Sequence, residues 1–195
     1  MPSRSDKQLS TVSCARWTAV VLVVWFFLLQ PLGALGGPVT GSEYDVKIGF
    51  IYNFMKFVTW PKASLEKDPN AMVLCYATDD PAINAFDKLD GKTINDRTIK
   101  VVAYDEQTCL EQSQIIFFAT QDKAYIQQIL AKSKGRNILT IGEVEGFTQW
   151  GGVINFFEEL NRLRFKVNLD AARREGLKMS SQLLGSAQIV QEGTE

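Results

Sequence analysis

The sequence contains no histidine. That absence removes the Ser-His-Asp and Cys-His dyads and every histidine-based metal site. Cysteine is scarce, with 3 in 195 residues, and so few thiolates without histidine make a poor metal site. Charge of one sign is not in excess: 21 basic against 22 acidic residues give a formal net charge of −1. Nothing in that balance suggests a basic nucleic-acid surface or an acidic tail. No G-x-G-x-x-G or Walker pattern follows any predicted strand. Gly142 and Gly146 flank Glu143-Val144-Glu145, whose charges would repel a phosphate, and Gly151-Gly152 precedes a strand rather than a helix. Carboxylates are paired at Asp79-Asp80, Glu143/Glu145 and Glu158-Glu159. All fall in predicted turns or caps, where water and backbone N–H groups stabilise charge. Calcium at Glu143/Glu145 stays open, without an EF-hand pattern. Ser180-Ser181 beside Lys178 lacks the S-x-x-K spacing of a serine–lysine enzyme, and helix capping explains both hydroxyls. No catalytic residue, cofactor or metal is expected, and the chain reads as a non-enzyme.

What is present begins with a leader. Arg4, Lys7 and Arg16 precede an apolar run, Trp17 to Leu29, then Pro31 and the small residues of Ala34-Leu35-Gly36. This is the layout of a cleavable secretory signal peptide over residues 1–36. An uncleaved anchor is the alternative, although 13 residues fall short of the ~20 that span a bilayer. Loss of Cys14 with the leader leaves Cys75 and Cys109 in a chain bound for an oxidising compartment. A single disulfide follows, closing a loop of about 35 residues and contributing about 3–4 kcal/mol in the chain-entropy view. Two buried free thiols are the other reading.

Residues 37–42 form a flexible lead-in, and one domain follows over 43–191. Ser42 can cap a helix that runs to about Thr59, where Trp60-Pro61 ends it. Tyr44, Ile48, Ile51, Tyr52, Met55 and Val58 recur at helical spacing, with Phe50, Phe54 and Phe57 adjoining; such a helix belongs in a core or a dimer interface. Strands are expected at 71–77, 98–104, 114–119 and 137–141. Helices are expected at 81–89, burying Ile83 and Phe86, and at 121–133, with Tyr125, Ile126, Ile129 and Leu130 inward. Cys109 falls in a short connection. Alternating strands and helices favour an α/β fold, a single compact domain with a mixed, mostly parallel sheet flanked by helices.

A C-terminal β-hairpin and helix complete it. Val153 to Phe157 is apolar on both sides, as a deeply buried strand would be. After a four-residue turn, Glu158 to Asn161, the residues Leu163, Phe165 and Val167 alternate with Arg162, Arg164 and Lys166. Those three cations on one strand face could meet an acidic partner or an anionic headgroup, or form a solvated outer face. Asn155 and Asn168 are expected to hydrogen-bond around the hairpin. Asn168 or Asp170 caps a short helix stopped by Gly176, and a last helix starts at Ser180 with Leu183, Leu184, Ala187 and Val190 on one stripe.

Two motifs carry a family resemblance. The opening one is Tyr52-Asn53-Phe54-x-Lys56-Phe57-x-x-Trp60-Pro61. The closing one comprises Asn168, Ala171-Ala172, Gly176-Leu177 and Ser180-Ser181-x-Leu183-Leu184, with Gly152, Asn155 and Phe165 upstream. Together they resemble the YfiR-like family over roughly residues 43 to 191. The resemblance implies a periplasmic regulatory protein of compact α/β fold that can form a homodimer. It implies binding to the periplasmic sensor domain of an inner-membrane diguanylate cyclase, repression of cyclic di-GMP synthesis, and sequestration by an outer-membrane partner. Cys75 and Cys109 match the family's first cysteine pair; a second pair, near the 142–150 loop, is absent. No interface transfers residue by residue, and the basic strand face with Asn168 is the expected partner contact. The alternative is a periplasmic small-ligand domain signalling to a sensor kinase or transporter, its aromatic helix lining a pocket.

Overall fold

A computed structural model describes residues 41–78 and 81–191. The expected leader, residues 1–36, and most of the lead-in lie outside the described residues, as do Asp79 and Asp80. Helix α1 (Gly41–Phe57) already includes Gly41 and Ser42, so the expected cap at Ser42 lies within the helix. The helix stops two residues earlier than expected, because Val58–Thr59 forms a short strand, β1. A one-turn helix α2 (Lys62–Leu65) follows.

The central sheet has eight strands in the order β10-β8-β7-β6-β5-β2-β4-β3. These are β2 (Ala71–Thr78), β3 (Thr93–Ile94), β4 (Arg97–Ala103), β5 (Ile115–Ala119), β6 (Leu139–Gly142), β7 (Ile154–Glu159), β8 (Arg162–Asn168) and β10 (Gln188–Val190). Neighbours from β4 through β7 pair in parallel, as do β8 and β10; β3/β4 and β7/β8 pair antiparallel. The mixed, mostly parallel α/β sheet expected from the alternation is therefore present.

Unbroken apolar runs make a sheet covered on both faces. Met72, Leu74, Ile115, Phe117, Leu139 and Ile141 pack toward α1. The intervening Val73, Cys75, Ile116 and Phe118 pack on the opposite face. There they meet α3 (Glu106–Gln112) and α4 (Lys123–Ser133). Cys109 lies on α3 rather than in a connection, and it is bonded to Cys75 at the middle of β2. Asp105 starts α3 by accepting from Thr108 N–H at 2.8 Å. Asp122 caps α4 by accepting from Tyr125 N–H at 3.0 Å, so α4 begins two residues later than expected. Tyr125 is exposed rather than inward; its ring meets Tyr104 edge-on at 6.2 Å. The 81–88 helix is of the tighter 3-10 form, with Phe86 fully buried.

The hairpin is tighter than expected. Its loop has two residues, Leu160 and Asn161, with φ of 51° and 58°. Positive φ at both positions is the type I′ geometry, whose twist matches that of the strands. Helix α5 (Leu169–Arg174) follows β8, and Asn168 is the cap: its Oδ1 accepts from Ala171 N–H at 2.9 Å. Strand β9 (Lys178–Met179) pairs antiparallel with β1. The last helix, α6 (Ser181–Leu184), is one turn long. The chain then straightens into β10, so Ala187 and Val190 do not share a helical stripe.

Candidate functional site

Helix α1 and the β7–β8 hairpin meet through an aromatic cluster. The Phe54 ring lies 4.9 Å from Phe165 and 5.8 Å from Phe156. Phe50 meets both at 5.7 and 5.9 Å. Edge-to-face and offset contacts of this kind add to simple burial. The opening and closing motifs thus touch. Trp60 is buried and donates from Nε1 to Gln114 O at 3.1 Å. Gly176, at φ 65°, lies where a Cβ would press on Pro61. Ser180 N–H donates to Phe57 O at 2.9 Å, and Ser180 Oγ accepts from Leu183 N–H. Leu183 is buried, Leu184 is half-buried, and Ser181 is exposed. On the outer side of α1, Asn53 and Lys56 are exposed, and Tyr52 and Phe57 are half-buried. Lys56 Nζ stands 4.8 Å over the Tyr52 ring.

On the other hairpin face the two asparagines hold the 143–153 loop. Asn155 is buried and donates from Nδ2 to the carbonyls of Gly142 and Val144, at 3.1 and 3.2 Å. Asn168 is fully buried and donates to Thr148 O at 2.8 Å. Phe147 is inserted between Gly142 and Gly152, where any Cβ would overlap its ring. Those two glycines are needed for space rather than for an unusual φ.

Farther along the same face, Arg162 and Arg164 are exposed and Lys166 is half-buried. Arg164 has only a loose ion pair with Glu159, at 3.8 Å, and Lys166 Nζ lies 5.5 Å over the Phe157 ring. Register places Phe157 opposite Arg164 and Asn155 opposite Lys166. The face is therefore a basic strip of three cations, with Phe157 beside it and Glu159 opposite Arg162. At its end projects Leu160, 90% exposed. Asn168 belongs to the buried end of this face, not to its surface.

A second feature escaped the sequence reading. A cleft of about 930 Å³ opens between the first turns of α1 and the carboxyl ends of β5, β6 and β7. Tyr44, Phe156 and Leu163 supply apolar wall. Lys47 is 5% exposed and lies between Glu43 at 2.7 Å and Glu143 at 2.5 Å. Burial disfavours its ammonium form, but hydrogen bonds and attraction from Glu143 and Glu43 outweigh that, so the Lys47 pKa lies above its ordinary value. Glu143 is thus not a solvated turn carboxylate. Its side chain is 15% exposed and bound to a residue 96 positions away, a pairing that local sequence cannot signal. Among the described residues no group of three or more metal-ligating side chains is clustered. No helix of the described residues is long and apolar enough to cross a membrane.

Comparison with known proteins gives one family. A family model described as YfiR/HmsC-like matches residues 44–188. No curated protein matches. Among solved structures, a conserved domain protein from Vibrio cholerae O1 biovar El Tor strain N16961 superposes with a TM-score of 0.46 at 10% identity, covering 67% of this chain and 58% of that one. The ABC domain in complex with L-Trp from Streptococcus pneumonia gives 0.47 at 9% identity, covering 71% and 59%. The chain spans less than two thirds of the length of either.

Proposed function

Because this chain belongs to the YfiR/HmsC-like family, we propose that it binds the periplasmic sensor domain of an inner-membrane diguanylate cyclase and represses cyclic di-GMP synthesis. Members of that family are periplasmic regulators of this signalling. Residues 1–36 act as a cleaved leader that delivers the 43–191 domain to the periplasm. The observation that carries the partner contact is the basic strip of β8, with Arg162 and Arg164 exposed and Leu160 projecting beyond it. Exposed arginines around an apolar anchor suit an acidic, partly apolar protein surface. An outer-membrane partner competing for the same strip would release the cyclase, and a homodimer would present two such strips. The Cys75–Cys109 bond serves stability of the fold.

The test is genetic and quantitative. Deleting the gene raises cellular cyclic di-GMP, and wild type restores it. Arg164→Glu, at normal protein level, fails to restore it. An unchanged level on deletion, in cells that make the protein, overturns the reading. A second reading, a domain that senses a small ligand, is favoured by the cleft beside Lys47.

A further inference from the structure

We propose that the cleft between α1 and the carboxyl ends of β5 and β6 is a binding site for a small organic cation, an amine carried on an apolar body. The place is the first argument. In open α/β sheets ligands bind outside the carboxyl ends of parallel strands, near the point where strand order reverses. Here the crossover from β2 to β4 contains the 3-10 helix, whose Phe86 packs in the α1-side core. The later crossovers through α3 and α4 run on the other face. Strand order reverses between β2 and β5, and Ala119, Thr120 and Gln121 at the end of β5 line the cleft.

Size and wall chemistry are the second argument. About 930 Å³ falls within the range of small-molecule sites, which are mostly apolar with a few convergent polar groups. Tyr44 and Phe156 form buried aromatic wall, and Leu163 adds an aliphatic edge.

Charge is the third. Glu43, Glu143 and Glu158 line the cleft, against Lys47 as the one cation among its described lining residues. Lys47 is already satisfied by Glu43 and Glu143. Glu43 and Glu158, both exposed, can accept further hydrogen bonds, whereas an incoming anion would have to displace Glu143 from Lys47 and stand beside negative charge. The lining therefore selects an ammonium group. This site does not depend on the repressor reading.

The test titrates the purified full chain with 2-phenylethylamine, and with 3-phenylpropionate as a probe of similar body and opposite charge, by calorimetry and amide chemical shifts. The amine saturates, perturbs Tyr44, Lys47 and Thr120, and binds at least about fivefold tighter than the carboxylate, the size of one exposed charge contact. Val46→Trp, at a lining position that is 50% exposed, abolishes binding with the melting temperature unchanged. Should that variant melt early, the double variant Glu43→Gln/Glu158→Gln, at two exposed positions, takes its place and weakens the amine about tenfold. Absence of saturation, equal binding of the two probes, or binding untouched by either variant overturns the proposal. Cyclic di-GMP is not read in this experiment, so its outcome is separate from that of the gene deletion.

Discussion

Asn168 shows how one side chain can tie three segments. It caps α5 through Oδ1 and holds the 143–153 loop through Nδ2, while fully buried. Asn168→Asp keeps the cap but faces Thr148 O with a carboxylate that cannot donate. Urea denaturation will show both Asn168→Ala and Asn168→Asp destabilised, by about 2–4 kcal/mol, with Asp no better than Ala. Tyr104 is the opposite case. Its buried hydroxyl has no hydrogen-bond partner among the described residues, so Tyr104→Phe will match or slightly exceed wild type in stability at neutral pH. Burial, and then the nearby Glu106, Tyr125 and Asp105, push its pKa to about 12. Tyr104 and Lys47 both hold a proton more tightly folded than unfolded. Deprotonation of either group costs stability, so nothing is lost below about pH 10; the loss at Tyr104 runs from there toward 12, and the loss at Lys47 begins above its ordinary pKa. Denaturant midpoints across pH 9–12 will fall, and Tyr104→Phe will flatten part of that fall. Asn168 was legible as a cap because capping is local. Lys47 and Glu143 were not, because the pair is made by the fold.

At the scale of elements, the hairpin was legible from its period of two, since Leu163, Phe165 and Val167 must reach the core together. Its turn was not. Type I′ turns favour Asn, Asp or Gly, and Leu160 gives no such signal. Left-handed backbone at a leucine costs roughly 1 kcal/mol or more. Leu160→Asn will therefore stabilise the domain by about 1 kcal/mol, seen as a higher melting temperature. If the tip anchors the partner, the same variant will repress less well despite being more stable. Helix α3 was missed because its capping residue, Asp105, stood in what read as a connection, with only Cys109 and Leu110 as buried apolar positions. The closing helix was overestimated because Leu183, Leu184, Ala187 and Val190 fit a helical stripe equally well as one turn followed by an edge strand.

For the whole molecule, alternation of strands and helices made the α/β class legible, while strand order was left to tertiary packing. Strands β2 and β5 sit inside the sheet with neighbours on both sides, whereas β3 and β10 form short edges of two and three residues. Amide hydrogen exchange will accordingly be slowest in β2 and β5 and fastest at β3 and β10. The contact between α1 and the hairpin also has a temporal side. A ribosome makes α1 well before β8, with more than a hundred residues between Phe54 and Phe165. The aromatic stripe of α1 is therefore made early and covered late, and it stays exposed throughout synthesis as a ready target for a holding chaperone. A nascent chain halted before Phe156 would keep that stripe uncovered indefinitely.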